Sequence, residues 1–272
     1  MRGAALLCLA LASCAAPPPR GGGIVSTNPC ADAMLVELVA PQRIAAISHY
    51  SLDPAASSIP LDTARRFRAT RGTAEEVIAM RPDLVVASSF TAPSTREAFA
   101  RAKLNTLYLD SPLTIDASKA QVTQLAAAVG AGVAGRAMNA RIDRAVTAAA
   151  SPGPGVPALV WIGGNLVSGG GNLLDEMLTR AGFRNQAAHY GLQFTGYLPI
   201  EHVVIDPPRL MLIPDEPGRD AGSRAAQMRA RVLAHGGRVA QARFPRSLVN
   251  CGGPVIVRAM VRLAEVRRNV RP

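Results

Sequence analysis

One short pattern occurs twice in the chain. Glu75–Val86 reads EEVIAMRPDLVV and Glu201–Leu212 reads EHVVIDPPRLML. The offset is 126 residues throughout: Glu75 matches Glu201, Val77 matches Val203, Pro82 matches Pro208 and Leu84 matches Leu210. Each copy opens on a glutamate, runs through apolar residues at helical spacing, meets proline, and continues as an apolar stretch of strand length. Proline ends a helix because it lacks the amide donor and clashes with the preceding turn. An unbroken apolar run is what a strand buried on both faces of a parallel sheet requires. Two such units, widely separated, predict two α/β lobes of common design.

The neighbouring residues fit that frame. GIVST, RIAAIS, DLVVAS and NTLYLD read as strands, with helices in NPCADAMLVELV and PSTREAFARAK. Pro29 suits the first turn of its helix, and Thr73 with Glu76 fits a capping box. HYSLDPAASSIPLDTARRFRATRG is a loop long enough to carry function. Ile115 to Ala150 has no strand signal, and AGRAMNARIDRAVTAAA within it predicts a long helix. SPGPGVP stops it. ALVWIG then opens the second half, NLLDEMLTRAG is a helix with Gly182 past its end, and RLMLIP is the strand of the second copy. SRAAQMRARVLAH is a helix, GRVAQAR a short strand, and PVIVRAMVRLAEVRR the closing helix.

Length and composition agree. At 272 residues, 49% of them hydrophobic, the chain exceeds a usual single domain and can bury a large core. The net charge is +11, and 28 of the 30 basic residues are arginine. Such a charge admits nucleic acid or an anionic membrane as partner. No dense basic run carries it, so arginine spread over solvated faces is the preferred reading and no nucleic-acid partner is expected. The richest part, Gly237 to Pro272, holds eight arginines against Glu265.

MRGAALLCLALASCAA has a basic start, a short apolar run and small residues, the pattern of an export signal. The run is too short to span a bilayer as a mature helix. Its end, LASC, resembles the bacterial lipobox, in which the cysteine is diacylated and becomes the first mature residue. That resemblance implies lipidation of Cys14 and anchoring to a membrane; cleavage after Ala15 or Ala16 is the alternative. The expected organisation is a signal over 1–14, a tether over 15–23, a first lobe over 24–114, a helical connection over 115–151 and a second lobe over 152–272.

Over nearly all of this mature chain the sequence resembles the helical-backbone substrate-binding proteins of bacterial ABC importers, whose ligands include cobalamin, ferric siderophores and haem. IVSTNPCADAMLVEL, RIAAISHYSLDP, RGTAEEVIAMRPDLVVAS and SGGGNLLDEMLTRAGFRN carry the resemblance. The cobalamin binders are the branch it most resembles. The family implies two α/β lobes with central sheets, a long backbone helix and a ligand cleft between the lobes. It implies a periplasmic, monomeric protein with no cofactor of its own. Its ligand is a corrinoid or an iron chelate, delivered to a permease dimer with ATPase subunits. One glutamate on each lobe docks onto permease arginines in that family, and Glu75 and Glu201 match those positions.

In parallel sheets ligands sit beyond the carboxyl ends of strands. Those positions are Asn28, Tyr50, Arg71, Ser88 and Phe90 in the first lobe, and Phe194, Tyr197 and Asn250 in the second. Tyr50 falls where the cobalamin binders place a cleft tyrosine. Arg71 would favour an anionic group, and the aromatic side chains would cover flat apolar surface. The cobalamin binders line their cleft with tryptophans, whereas Trp161 stands alone here and reads as core. NCGGP replaces an aromatic stretch. Both departures leave the ligand open between corrinoid, haem and siderophore.

Cys8 leaves with the signal, so Cys30 and Cys251 remain for an oxidising compartment. A disulfide across the lobes, two buried thiols, or thiolates on the ligand metal are the three readings, the first preferred. An exported α/β enzyme and a basic envelope protein that binds anionic polymer are the competing functions. GGNLVSGGGN lies between strand and helix, as phosphate loops do. Gly164 and Gly169 have the spacing, but Gly170 stands where lysine is required. His49, His189, His202 and His235 have no metal spacing, no nucleophile elbow is present, and Asp32, Asp53 and Asp62 lack a catalytic partner. No enzymatic activity is expected.

Overall fold

The computed structural model describes residues 22–214, Gln227 and residues 239–270. The export signal, Cys8, Cys14, residues 15–21 of the tether, His235 and the helix read at Ser223–His235, apart from Gln227, lie outside the described residues.

The first lobe is a five-stranded parallel sheet. Its strands are β1 (Ile24–Ser26), β2 (Ile44–Ser48), β3 (Ala69–Thr70), β4 (Leu84–Ser88) and β5 (Thr106–Leu109), in the order β3-β2-β1-β4-β5. Helices α1 (Pro29–Leu38), α2 (Leu61–Ala64), α3 (Ala74–Ala79) and α4 (Pro93–Arg101) connect them. Strand order reverses beside β1, between β1 and β4, the place where doubly wound sheets open a crevice. The chain enters through Gly23, whose amide donates to Asp83 Oδ2 at 2.6 Å.

The helical connection is two helices, α5 (Ile115–Ala128) and α6 (Gly132–Ala149). Gly130, with φ of 67°, makes the break. The two helices pack closely: a Cβ on Gly135 would stand 2.5 Å from Ala126 Cβ.

The second lobe has a mixed sheet in the order β11-β10-β6-β7-β9, with β8 also paired to β6. β6 (Val156–Gly163), β8 (Phe183–Asn185), β10 (Leu210–Ile213) and β11 (Ala240–Arg243) are parallel. β7 (Leu166–Ser168) and β9 (Thr195–Tyr197) form an antiparallel extension that the sequence did not signal. α7 (Leu173–Arg180), α8 (Gln186–His189), α9 (Ile200–Ile205) and α10 (Pro254–Asn269) complete the lobe.

Side chains alternate along the strands and divide the interior into three cores. Inward residues such as Ile24, Ile47, Leu84 and Val86 from the first sheet join Ala158, Val160, Leu210 and Leu212 from the second. Between them lie Met34, Val122, Leu125, Met138, Ile142, Ile256 and Met260. This single core runs through both lobes, so no open hinge separates them. A smaller core covers the outer face of each sheet. The first contains Val25, Val77, Val85 and Phe99. The second contains Leu159, Trp161, Val203 and Met211. The repeated pattern therefore has a structural meaning: α3 and α9 each cover one outer face, and Val77 and Val203 are buried under them.

Polar ties reinforce the shared core. Ile115 N donates to Glu176 Oε2 at 2.8 Å, joining α5 to α7. Arg141 on α6 pairs with Glu37 on α1, and Arg258 on α10 donates to the Ser58 carbonyl. Cys30 is bonded to Cys251, 221 residues away. The glycines after Cys251 are required by close approach. A Cβ on Gly252 would lie 2.2 Å from Ser118 Oγ, and one on Gly253 2.7 Å from Met34 Cγ. Gly253 N donates to Ser118 Oγ at 2.7 Å. The NCGGP segment is thus a junction between α1, α5 and α10. No helix among the described residues is long and apolar enough to cross a membrane.

Candidate functional site

The parallel strands aim their carboxyl ends at one edge of each sheet. Cys30 follows the carboxyl end of β1 and Cys251 follows that of β11, with Cα atoms 5.1 Å apart. Cys30 and Cys251 therefore join the two edges, and the loops of each edge form a rim.

The first rim starts at α1. Asn28 is buried, and its Oδ1 accepts from Cys30 N at 2.9 Å and Ala31 N at 3.4 Å. This side chain caps the helix, a role the sequence reading did not assign to it. After β2 the chain makes a 3-10 turn, His49–Leu52. Tyr50 N donates to Ser48 Oγ at 3.3 Å. The His49 and Tyr50 rings lie 4.1 Å apart, and His49 Nδ1 is 3.3 Å from the Thr70 carbonyl. Tyr50 is 52% exposed. After β4, Ser88 Oγ accepts from Phe90 N at 3.1 Å, and Phe90 is 79% exposed. Behind this loop Arg96 lies 4.4 Å over the Tyr108 ring and donates to the Ser89 carbonyl. Arg96 carries no signal in the sequence, because its position depends on two loops coming together.

Arg71 is exposed at the end of β3, and its amide donates to Glu76 Oε2 at 2.8 Å. Only half of the expected capping box forms. Thr73 Oγ1 accepts from Glu76 N at 3.3 Å, while the Glu76 carboxylate serves the Arg71 amide.

Asp32 lies beneath the first rim and is wholly buried. Its Oδ2 accepts from Ser51 Oγ at 2.6 Å and from Ser48 N at 3.0 Å. Its Oδ1 accepts no hydrogen bond of good geometry; the nearby Ser26 hydroxyl, which steadies the charged form, donates to the Asn28 carbonyl at 3.1 Å. Burial raises its pKa from 3.8 to about 7, against bonds from Ser26, Ser51 and Ser48 that lower it.

The second rim is built on Asn172. Its Oδ1 caps α7 by accepting from Asp175 N at 3.0 Å. Its Nδ2 donates to the carbonyls of Phe194 at 2.9 Å and Gly169 at 3.2 Å. Phe194 has φ of 55°, unusual for a residue with a side chain. The bond from Phe194 N to the Gly170 carbonyl, 2.7 Å, helps hold it there. Phe194 and Tyr197 are 55% and 77% exposed. Trp161 is core, as its sequence position suggests, and its indole donates to the Gly164 carbonyl at 2.6 Å. Asn250 is exposed, and its carbonyl lies 3.7 Å from Cys30 Sγ.

A family model for periplasmic binding proteins matches residues 24–236. The chain belongs to that family. Solved structures agree with the fold of this periplasmic binding protein. The periplasmic heme-binding protein RhuT from Roseiflexus sp. RS-1, in apo form, superposes with a TM-score of 0.76 at 20% identity. The match covers 92% of this chain and 99% of that one. A periplasmic heme-binding protein from Pseudomonas aeruginosa gives 0.68 at 20% identity, over 92% and 94%. The vitamin B12 binding protein BtuF of Vibrio cholerae gives 0.67 at 18% identity, over 93% and 98%. A search of curated proteins finds no match in sequence.

The glycine run of this binding protein has another use than a phosphate cradle. A cradle needs free backbone amides. Gly169 N donates to the Phe194 carbonyl, Gly170 N to the Leu192 carbonyl and Gly171 N to Asp175 Oδ2. All three amides are committed to holding the second rim. A Cβ on Gly169 would stand 2.6 Å from the Leu192 carbonyl oxygen, so the segment needs glycine for close approach. Two cavities bordered by the described residues lie at the opposite, amino edges of the sheets, one beside Asp83 and Asn105, the other beside Gly155 and Phe183. The second is also bordered by Asp175 and Asn185, which hold Gly171 and Gly169 of the second rim.

Proposed function

We propose that this periplasmic binding protein captures a large metal chelate, a corrinoid or an iron chelate such as haem or a ferric siderophore, and delivers it to the permease of an ABC importer. The observation that carries the reading is the placement of aromatic side chains. The chain has six phenylalanines, four tyrosines and one tryptophan. Those that are exposed are Tyr50 and Phe90 on the first rim and Phe194 and Tyr197 on the second. Exposed aromatic surface is costly unless something covers it. Two pairs, one on each rim, suit a broad apolar face, while Arg71 and Asn250 offer polar contacts at the edge. Chain similarity to heme and vitamin B12 binding proteins supports the same class of ligand.

Glu75 and Glu201 occupy the same place in the two repeated helices, and both are exposed. We assign them the permease contact. Cys14 is assigned the lipid anchor, with the first lobe taken as 24–114, the connection as 115–151 and the second lobe as 152–272. Absorbance and thermal-shift titrations with haemin, cyanocobalamin, cobinamide and ferric siderophores test the ligand. Binding of one of them is expected; a flat response to all four classes would reject the reading. Labelling of growing cells with a radioactive fatty acid tests Cys14, and label that persists in Cys14→Ser would reject the anchor.

A further inference from the structure

We propose that Asp32 is a positioning residue for the first rim: it fixes the turn that presents His49 and Tyr50, and it lets that turn loosen as the surroundings become alkaline. The geometry is specific. One carboxylate oxygen takes the amide of Ser48, at the end of β2, and the hydroxyl of Ser51, inside the turn. Tyr50 lies between these two anchor points. Ser48 also caps the turn through its own hydroxyl. The carboxyl therefore ties the start and the middle of the turn to α1.

The other oxygen of Asp32 is buried and accepts no hydrogen bond of good geometry, the neighbouring Ser26 hydroxyl being donated to the Asn28 carbonyl. Ionisable groups on the surrounding elements include His49 and Tyr50 in the turn, Glu37 on α1, Asp62 on α2, Arg141 on α6 and Arg258 on α10. None is a hydrogen-bond or ion-pair partner of Asp32 among the described residues. Arg141 is paired with Glu37, and Arg258 is bound to the Ser58 carbonyl. A carboxylate formed here is thus a buried charge without a counter-ion, which is costly.

Opening the turn would bring the carboxyl to water, where its charged form is stabilised. By linkage, ionisation favours the open turn and protonation the closed one. Burial, opposed by the three serines, sets the midpoint at about 7, so the change falls near neutral pH. The tie to ligand capture rests on Tyr50 being a ligand contact. The behaviour of the turn does not.

Hydrogen exchange read by mass spectrometry on the full exported chain tests this without a ligand. After correction for intrinsic exchange, opening of the Ser48–Leu52 peptide in the wild type is expected to rise at least fivefold from pH 6 to pH 8. Asp32→Asn keeps an acceptor for Ser48 and Ser51 but cannot ionise, so its opening should stay level. Asp32→Ala should open the turn at least tenfold at both pH values. If it does not fold, Asp32→Asn alone decides. His49→Gln should keep the wild-type rise, which assigns the effect to Asp32. The same pH rise in Asp32→Asn as in the wild type would overturn the proposal. So would wild-type protection in Asp32→Ala. Haemin and cyanocobalamin titrations of the same proteins are read separately. Failure of both to bind would count against haem and cobalamin as ligands and leave the exchange result standing.

Discussion

In the first lobe the turn that carries Tyr50 is held from below by a carboxyl; in the second, the segment that carries Phe194 is held by a side-chain amide. Asp32 accepts at Ser48 and Ser51, on either side of Tyr50, and Asn172 donates to the carbonyls of Gly169 and of Phe194 itself, so each fixes the backbone that carries an exposed aromatic residue. The difference is charge. Asn172 is partly exposed, caps a helix and cannot titrate. Asp32 is sealed in and shares no counter-ion. The bonds that Asn172 makes to the second rim do not depend on protonation, whereas those that Asp32 makes to the first rim do. Rims of related design can thus differ in how tightly they are set.

The largest expected effect concerns the bond that joins the two rims. Replacing Cys30 and Cys251 by serine removes a cross-link over 221 residues. The chain-entropy model puts its loss at about 5 kcal/mol, less any strain in the native bond. Urea unfolding of the double variant checks this. Intact-mass analysis of the exported protein, alkylated without reductant, checks the bond itself. Two alkylated cysteines would show that the pair is unlinked.

Next in size is the pH dependence of stability. The folded pKa of Asp32 is raised from 3.8 to about 7. Between those values the folded chain holds a proton that the unfolded chain has lost. This contribution is therefore fully favourable below pH 3.8, falls as pH rises, and is gone above about 7. At 1.36 kcal/mol per pH unit the span is up to about 4 kcal/mol. Asp32→Asn is expected to narrow the gap in denaturant midpoint between pH 5 and pH 8. An unchanged gap would place the carboxyl in water. Asn172→Ala is the matching test on the second lobe. Loss of the cap and its loop bonds should cost about 2 kcal/mol, with the same value at pH 5 and pH 8. A pH-dependent cost would erase the contrast between the rims.

Smaller still are the aromatic contacts. Tyr50→Ala and Tyr197→Ala should each weaken chelate binding by about 1 kcal/mol if the rings pack on the ligand. Calorimetric titration at pH 6 and pH 8 would show whether only the first-rim contact changes with pH. Replacing both Glu75 and Glu201 by alanine should change stability by only a few tenths of a kcal/mol, the helix-dipole contribution at the two starts. Ligand affinity should remain and uptake by cells should cease. Normal uptake would remove the docking role.

Much of the fold is legible in the sequence, and the reason is periodicity. The repeated helix, proline and strand mark both lobes because Val77 and Val203 must fill equivalent outer cores. β7 and β9 are not legible. Each has three residues, and they pair only through a hairpin and a glycine-rich crossing. Tyr50 and Phe90 follow from knowing where the parallel strands β2 and β4 stop, whereas Phe194 and Tyr197 border or belong to the antiparallel β9, and all four are exposed. Asp32 looks like an ordinary helix-start acid when read in line. Its role comes from Ser48 and Ser51, brought beneath the rim by β2 crossing next to β1. The glycines of the second rim resemble a phosphate loop in sequence. Only the positions of Leu192 and Phe194 reveal that their amides are occupied.

The most direct test is an absorbance titration of the protein with haemin, cyanocobalamin, cobinamide and ferric siderophores, repeated on a variant with Tyr50, Phe90, Phe194 and Tyr197 all changed to alanine. The account predicts that one chelate binds the wild type with a shifted absorption band, and that the variant stays folded and loses at least a hundredfold in affinity. Equal binding by both proteins would contradict the claim that the two aromatic rims hold the ligand.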